Sequence, residues 1–159
     1  MTISIRPMTA ADKPAVMNIL RNTLEFLPAE VIVAEEVIDA YLADPSGSGY
    51  YTIVAEVDSK VTGYASYGPT PLTEGTWDLY WIAVARNNQG KGIGIALMRF
   101  VEKKIIDAKG RLILIETSSK PEYNKTRRFY AGLSYEEICQ IADFYAPGDN
   151  LVMLLKRLR

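Results

Sequence analysis

The run Trp77-Asp78-Leu79-Tyr80-Trp81-Ile82-Ala83-Val84 is apolar enough to be a buried strand, and shortly after it the chain reads Gln89-Gly90-Lys91-Gly92-Ile93-Gly94. Glycine gives up more backbone freedom on folding than any other residue, so glycines on alternate positions are costly inside a regular element. They mark where the strand stops. Beyond them Ile93, Leu97, Phe100, Val101 and Ile105 recur at helical spacing, which predicts an amphipathic helix closed by Gly110 as its C-terminal cap. A strand that runs through a glycine turn into a helix leaves main-chain N–H groups free at the positive end of the helix macrodipole, and that arrangement suits a phosphate. The same glycines would also serve a plain tight turn. Lys91 adds a cation, and with the patterned helix it favours the phosphate reading.

Two widespread phosphate loops do not fit. The pattern GxxxxGK[ST] is absent, so nucleoside triphosphate hydrolysis has no support. The dinucleotide fingerprint GxGxxG fails in both registers, because Ile95 and Leu97 occupy the slots where the third glycine or alanine is needed. Only Glu116, at a suitable distance downstream, speaks for a dinucleotide.

The rest of the chain alternates strand and helix signals. ISIRP reads as a strand, and Thr9 with Asp12 resembles a capping box for a helix to about Thr23. A second helix from Pro28 to Tyr41 ends at ADPSGSG. YYTIVAEV and KVTGYASYG form a hairpin around Asp58 and Ser59, RLILIETS is a strand, TRRFYAGL a helix, and YEEICQIADFY and NLVMLLKRL are strands. The order predicts a mixed α/β sheet rather than a doubly wound one. With 159 residues and no repeat or linker, a single domain over residues 1–159 is expected.

Composition excludes several partners. Eighteen basic residues against 19 acidic ones leave a formal charge of -1, which gives no footprint for nucleic acid or an acidic membrane surface. No stretch approaches the roughly 18 apolar residues of a membrane span. With no histidine and the single Cys139, neither a metal site nor an internal disulfide is expected, and a cytoplasmic, reducing setting fits. Cys139, on an alternating strand, reads as a small buried hydrophobe rather than an acyl carrier.

The motif Gln89-x-x-Gly92-x-Gly94 resembles the Q/R-x-x-G-x-G/A signature of the GNAT superfamily of acetyl-coenzyme A dependent N-acetyltransferases. The strand before it, the helix after it, ETSS, and FYAGLSY follow in that family's order, and the resemblance covers essentially the whole chain. It implies a GNAT-like fold: a central mixed, largely antiparallel sheet of about seven strands flanked by about four helices, splayed between the fourth and fifth strands. It also implies that Gln89, Gly90, Lys91, Gly92, Ile93 and Gly94 hold the coenzyme A pyrophosphate, and that Ile82, Ala83 and Val84 pair with the pantetheine arm. Acetyl-coenzyme A is then the co-substrate, with no metal.

The family's chemistry moves acetyl directly from a thioester to a neutral amine. It needs an acceptor for the amine proton, a main-chain N–H for the developing oxyanion, and a donor for the departing thiolate. Tyr130, in FYAGLSY, occupies the position of the family's acidic tyrosine. For the base two carboxylates stay open: Asp78, six residues before Val84, matches the histone-modifying branch, and Glu116 matches the branch acetylating ribosomal proteins. Each lies on an otherwise apolar strand, where burial would raise its pKa; pairing with Arg127 or Arg128 is the alternative. The asparagine that commonly contacts pantetheine is displaced, since its slot is Tyr123 and Asn124 comes one place later. The usual glycine before the aromatic is Ser134.

The resemblance sets Glu25, Phe26, Phe144 and Tyr145 over the acceptor, with Tyr67 and Tyr80 facing the same space. Aromatic faces beside a carboxylate suit a cationic amine. A small-molecule amine or amino acid is the expected acceptor; a protein N-terminus and a non-catalytic acyl-coenzyme A binding module are the alternatives. A homodimer is compatible with this reading.

Overall fold

The computed structural model describes residues 1–158. Seven strands among them, β1 (Ile3–Pro7), β2 (Tyr51–Val57), β3 (Lys60–Pro69), β4 (Thr76–Val84), β5 (Leu112–Ser118), β6 (Glu136–Ala146) and β7 (Asp149–Arg157), form one sheet ordered β1-β2-β3-β4-β5-β7-β6. The four helices are α1 (Lys13–Arg21), α2 (Pro28–Ala43), α3 (Ile93–Asp107) and α4 (Asn124–Gly132). Every neighbouring pair is antiparallel except β4 with β5. This is the fold expected of a GNAT protein.

Local chemistry explains the elements. Thr9 and Asp12 form the capping box, so two otherwise orphaned N–H groups ahead of α1 are satisfied. Asp58 and Ser59 both adopt left-handed φ, 52° and 63°, which turns β2 into β3 with the twist a two-residue hairpin requires. The helix after the glycines buries Ile93, Leu97, Met98, Val101 and Ile105 against the sheet. At roughly 1.5–3 kcal/mol for each large side chain buried, that stripe fixes α3, and with it the loop at its N-terminus. Its end differs from expectation. The left-handed residue is Lys109, with φ 64°, while Gly110 returns its N–H to Ile105 O at 2.8 Å. A Cβ on Gly110 would stand 2.2 Å from Ile105 Cγ2 and 2.8 Å from Trp77 Nε1, so that glycine serves close packing.

Helices α3 and α4 cover one face of the sheet over Ile53, Leu79, Ile113 and Val152; α1 and α2 cover the other over Val54, Tyr64 and Ala83. One irregularity in β4 shapes everything that follows. Ser66 of β3 pairs with Trp81, but Tyr67 pairs with Leu79, leaving Tyr80 as the extra residue of a β-bulge. A bulge bends the strand that carries it. The parallel ladder between β4 and β5 accordingly runs from Thr76 with Leu112 only as far as Leu79 with Ile115. Beyond that point the two strands part into a fork.

At the opposite edge β6 departs from expectation as well. All eleven of its residues are exposed, Cys139 among them, because β6 is the edge strand, paired only with β7. Cys139 is therefore not a core hydrophobe.

Candidate active site

The glycine loop stands at the mouth of the fork. Gly90 and Gly92 have φ 77° and 83°, conformations that exclude most side chains, and an added Cβ at either position would meet nothing within 4 Å. The backbone there is bare toward open space. Among the described residues the N–H groups of Gly92, Ile93, Gly94 and Ile95 make no hydrogen bond, and no side chain caps α3. Four unsatisfied donors at a helix N-terminus form a fitting cradle for a pyrophosphate. Gly94 has a different reason: its missing Cβ admits the Phe129 ring, whose Cε1 and Cζ would stand 3.2 Å away. Gln89 braces the loop, its Nε2 donating to Val84 O at 3.3 Å and its Oε1 accepting from Lys125 Nζ at 3.3 Å. Lys125 thus joins Lys91 near the loop, a second cation that the sequence motif did not single out.

Ile82, Ala83 and Val84 pair with β3 on one side and have no β5 partner on the other. The bulge also sets the side chains. Ile82 and Val84 pack toward α3, while Trp81 and Ala83 pack toward α1 and α2. Phe26 meets the Trp81 ring edge-on at 5.6 Å, and Tyr80, 36% exposed, meets Tyr50 at 5.4 Å. Burial and the charge of Asp78 push the Tyr80 phenol up to about 12. Tyr67, by contrast, lies in the core of the α3 face beside Trp77.

The two candidate bases differ in place. Asp78 pairs with Leu114 inside the closed part of the ladder, half-buried, and accepts a hydrogen bond from Thr70 Oγ1 at 2.6 Å. Glu116 is the first β5 residue past the last β4 partner. It is exposed, so the burial expected of it is missing; its backbone pairs with Met153 of β7. Neither carboxylate pairs with Arg127, which instead donates to the Ser118 and Lys120 carbonyls and to the Asn124 side-chain oxygen.

Tyr130 is 4% exposed, its ring between Phe129 at 5.3 Å and Tyr135 at 5.8 Å. Burial pushes its phenol well above 10, and its hydroxyl has no partner among the described residues. It lies on the α3 and α4 face with Ile115, whereas Glu116, the next residue along β5, points to the other face. The two therefore stand on opposite faces of the sheet beside the fork. Ser134, in the usual glycine slot, has φ 71°, which is why glycine is common there.

On the α1 and α2 face the loop before α2 is held by Tyr123, whose single hydroxyl hydrogen is shared between Glu25 O at 3.0 Å and Glu30 Oε2 at 3.3 Å. Burial raises the Glu30 carboxyl above its ordinary range. Tyr145, at the tip of the last hairpin and 47% exposed, is pushed up to about 12 by burial and by the charges of Glu116, Asp149 and Glu30. Asp149 accepts from Ser118 Oγ, with Lys120 Nζ at 3.6 Å. Residues from α2, β5 and β7 thus bring three carboxylates around Tyr145. Tyr123, Glu30 and Asp149 were not legible as site residues: Glu30 reads as an ordinary acid in a first helical turn, and Tyr123 as a displaced asparagine. No group of residues suited to a metal ion occurs among the described residues, and no helix there is long and apolar enough to cross a membrane.

Fork, glycine cradle and sheet order define an acetyl-coenzyme A dependent acyltransferase of the GNAT type. Residues 48–137 match the family model described as an acetyltransferase (GNAT) domain, and the chain belongs to that family. A GNAT-family acetyltransferase from Desulfovibrio desulfuricans is 36% identical and superposes with a TM-score of 0.95 over 99% of this chain and 100% of that one. An uncharacterized N-acetyltransferase of Methanocaldococcus jannaschii is 27% identical over 105 residues; the match spans 65% of this chain and 64% of that protein's length. An aminoglycoside 6′-N-acetyltransferase complexed with coenzyme A shares the fold at 18% identity, with a TM-score of 0.77 over 100% of this chain and 98% of the other.

Proposed function

We propose that the protein transfers acetyl from acetyl-coenzyme A directly to the primary amine of a small cationic molecule or amino acid, in the cytoplasm. The observation that carries the proposal is the fork, whose unpaired β4 segment leads to the four free N–H groups at the start of α3. Acetyl-coenzyme A supplies the thioester at which the amine is acylated.

The chain's own residues then divide the work. The N–H groups from Gly92 to Ile95 hold the pyrophosphate, with Lys91 and Lys125 adding positive charge and Gln89 and Gly90 shaping the loop. The open edge of Ile82, Ala83 and Val84 offers main-chain groups to the pantetheine amides, and Asn124 adds a side-chain amide. A main-chain N–H freed at the bulge stabilises the oxyanion, a contribution that is large where water is excluded. Glu116, past the fork, receives the amine proton, directly or through water. Asp78 stands below the fork with Thr70 and supports the strand. Tyr130 donates a hydrogen bond to the leaving sulfur; with its pKa raised by burial, it stays protonated throughout the working range.

Glu25, Phe26, Tyr80 and Tyr145 line the acceptor side. The excess of carboxylate there, Glu30 and Glu116 beside the Lys120–Asp149 pair, draws an ammonium and disfavours an anionic acceptor. Thiol release from acetyl-coenzyme A, measured over a panel of amines, amino acids and peptides, tests this reading. Turnover with cationic primary amines is expected. Preference for peptide N-termini would replace the acceptor class, and tight coenzyme binding with no turnover on the panel would make the protein a binding module.

A further inference from the structure

Four large apolar side chains stand exposed on two loops that the fold brings together. Leu24 and Leu27, 76% and 53% accessible, flank Glu25 and Phe26 ahead of α2. Phe144 and Tyr145, 52% and 47% accessible, lie at the tip of the last hairpin, their rings meeting edge-on at 5.0 Å. Glu30 links the two loops. Its N–H donates to Leu27 O at 2.9 Å, and its charge reaches the Tyr145 phenol. A single exposed apolar side chain is ordinary, but a cluster of them beside charged groups at the mouth of a cleft marks a binding surface.

We propose that this rim takes the apolar tail of the acceptor, so that the substrate is an amphipathic primary amine, an ammonium head on an alkyl or aryl chain. The proposal rests on the acetyl-transfer reading and names the acceptor class for the same site. Charge selects the head. Glu116 stands past the fork and Glu30 beside Tyr145, and the partly desolvated Glu30 carboxylate is relieved when a cation comes near. A tail that covers the rim also excludes water and so strengthens that attraction. The backbone selects the tail. A peptide lying along the rim would need free main-chain groups to pair with. Much of the first loop is already engaged: Thr23 O accepts from the Phe26 N–H, Glu25 O from Tyr123, and Leu27 O from the N–H groups of Glu30 and Val31. An alkyl or aryl chain needs no such partner and binds by burial alone.

Thiol release over the straight-chain primary amines from butylamine to octylamine tests this, since their amino groups are equally basic and only the tail changes. A fully buried methylene strengthens binding about fourfold, so kcat/KM should rise about two- to fourfold with each added carbon below micelle-forming concentrations. The KM for acetyl-coenzyme A should stay constant along the series. Leu24→Gln combined with Leu27→Gln should flatten the rise and leave butylamine turnover, coenzyme A affinity and the thermal midpoint unchanged, because both side chains are exposed. A flat or falling series in the wild-type protein would overturn the amphipathic acceptor and leave acetyl transfer standing. No turnover with any amine, while coenzyme A still binds, would remove the acetyl-transfer reading and this proposal with it. A rise that survives both glutamines would place the tail elsewhere and overturn the rim. Faster turnover of a peptide N-terminus than of octylamine would overturn the proposal too, and give the site to a peptide.

Discussion

Tyr130→Phe separates an enzyme from a coenzyme-binding module, and the structure gives the expected change two independent signs. Phenylalanine keeps the ring between Phe129 and Tyr135 and removes only the oxygen. A typical intramolecular hydrogen bond contributes about 0.5–1.5 kcal/mol to folding, but the Tyr130 hydroxyl has no protein partner to lose. The folding free energy should therefore change by less than ~0.5 kcal/mol, which in a domain of this size moves Tm by under ~2 °C. Turnover should behave otherwise. If the hydroxyl donates to the leaving sulfur, its loss should lower kcat by about ten- to a thousandfold, or about 1.4–4 kcal/mol of barrier, with the KM for acetyl-coenzyme A nearly unchanged. Calorimetric unfolding and thiol-release kinetics on one preparation measure both. Full turnover in the variant would refute the donor role and leave water as the proton source for the thiolate. A fall in Tm of several degrees with a matching loss of activity would instead make the hydroxyl a structural group.

Gly92→Val should weaken coenzyme A binding at least tenfold, about 1.4 kcal/mol, by placing a branched side chain over the phosphate cradle. Because Gly92 has φ 83°, a strain cost of roughly 1–2 kcal/mol in stability should accompany it, so calorimetric binding is to be read on the folded fraction; unchanged affinity would remove the cradle. Coenzyme A affinity should fall as ionic strength rises, since Lys91 and Lys125 are exposed and screened by salt; flat affinity between low and high salt would speak against an ionic contact. Glu30→Gln should raise the KM for a cationic acceptor and leave that for acetyl-coenzyme A unchanged; equal effects on both would dissociate Glu30 from the acceptor side. Arg6 holds the Asp12 carboxyl down at about 2, below its ordinary 3.8, so its stabilisation is full above about pH 4 and lost as pH falls toward 2. Asp12→Asn should accordingly be less stable than wild type at neutral pH, with the difference closing between pH 4 and 2; a constant difference across that range would refute the linkage.

Much of this protein is determined locally and is therefore legible in the sequence. The capping box at Thr9 and Asp12, the hairpin at Asp58 and Ser59, and the apolar stripe of α3 depend on residues within one or two turns of each other, so their spacing carries the information. The glycine motif is legible for the same reason: a strand, a bare loop and a helix N-terminus in succession make the cradle wherever the rest of the chain goes. The surroundings of that cradle are decided only in three dimensions. The bulge at Tyr80 depends on how β4 registers with β3, and the fork depends on that bulge, so no spacing in β4 or β5 announces where their pairing ends. Glu116 and Asp78 look equivalent as carboxylates on apolar strands until the fork falls between them. Glu30, Tyr123 and the hairpin that carries Tyr145 and Asp149 come together from three separate segments, each ordinary in isolation. Cys139 and Gly110 show the same limit from the other side. Alternation cannot tell that β6 is last in the sheet, and a glycine after a helix cannot tell whether it serves conformation or the approach of Trp77, because burial and close approach are properties of the neighbours that tertiary folding brings.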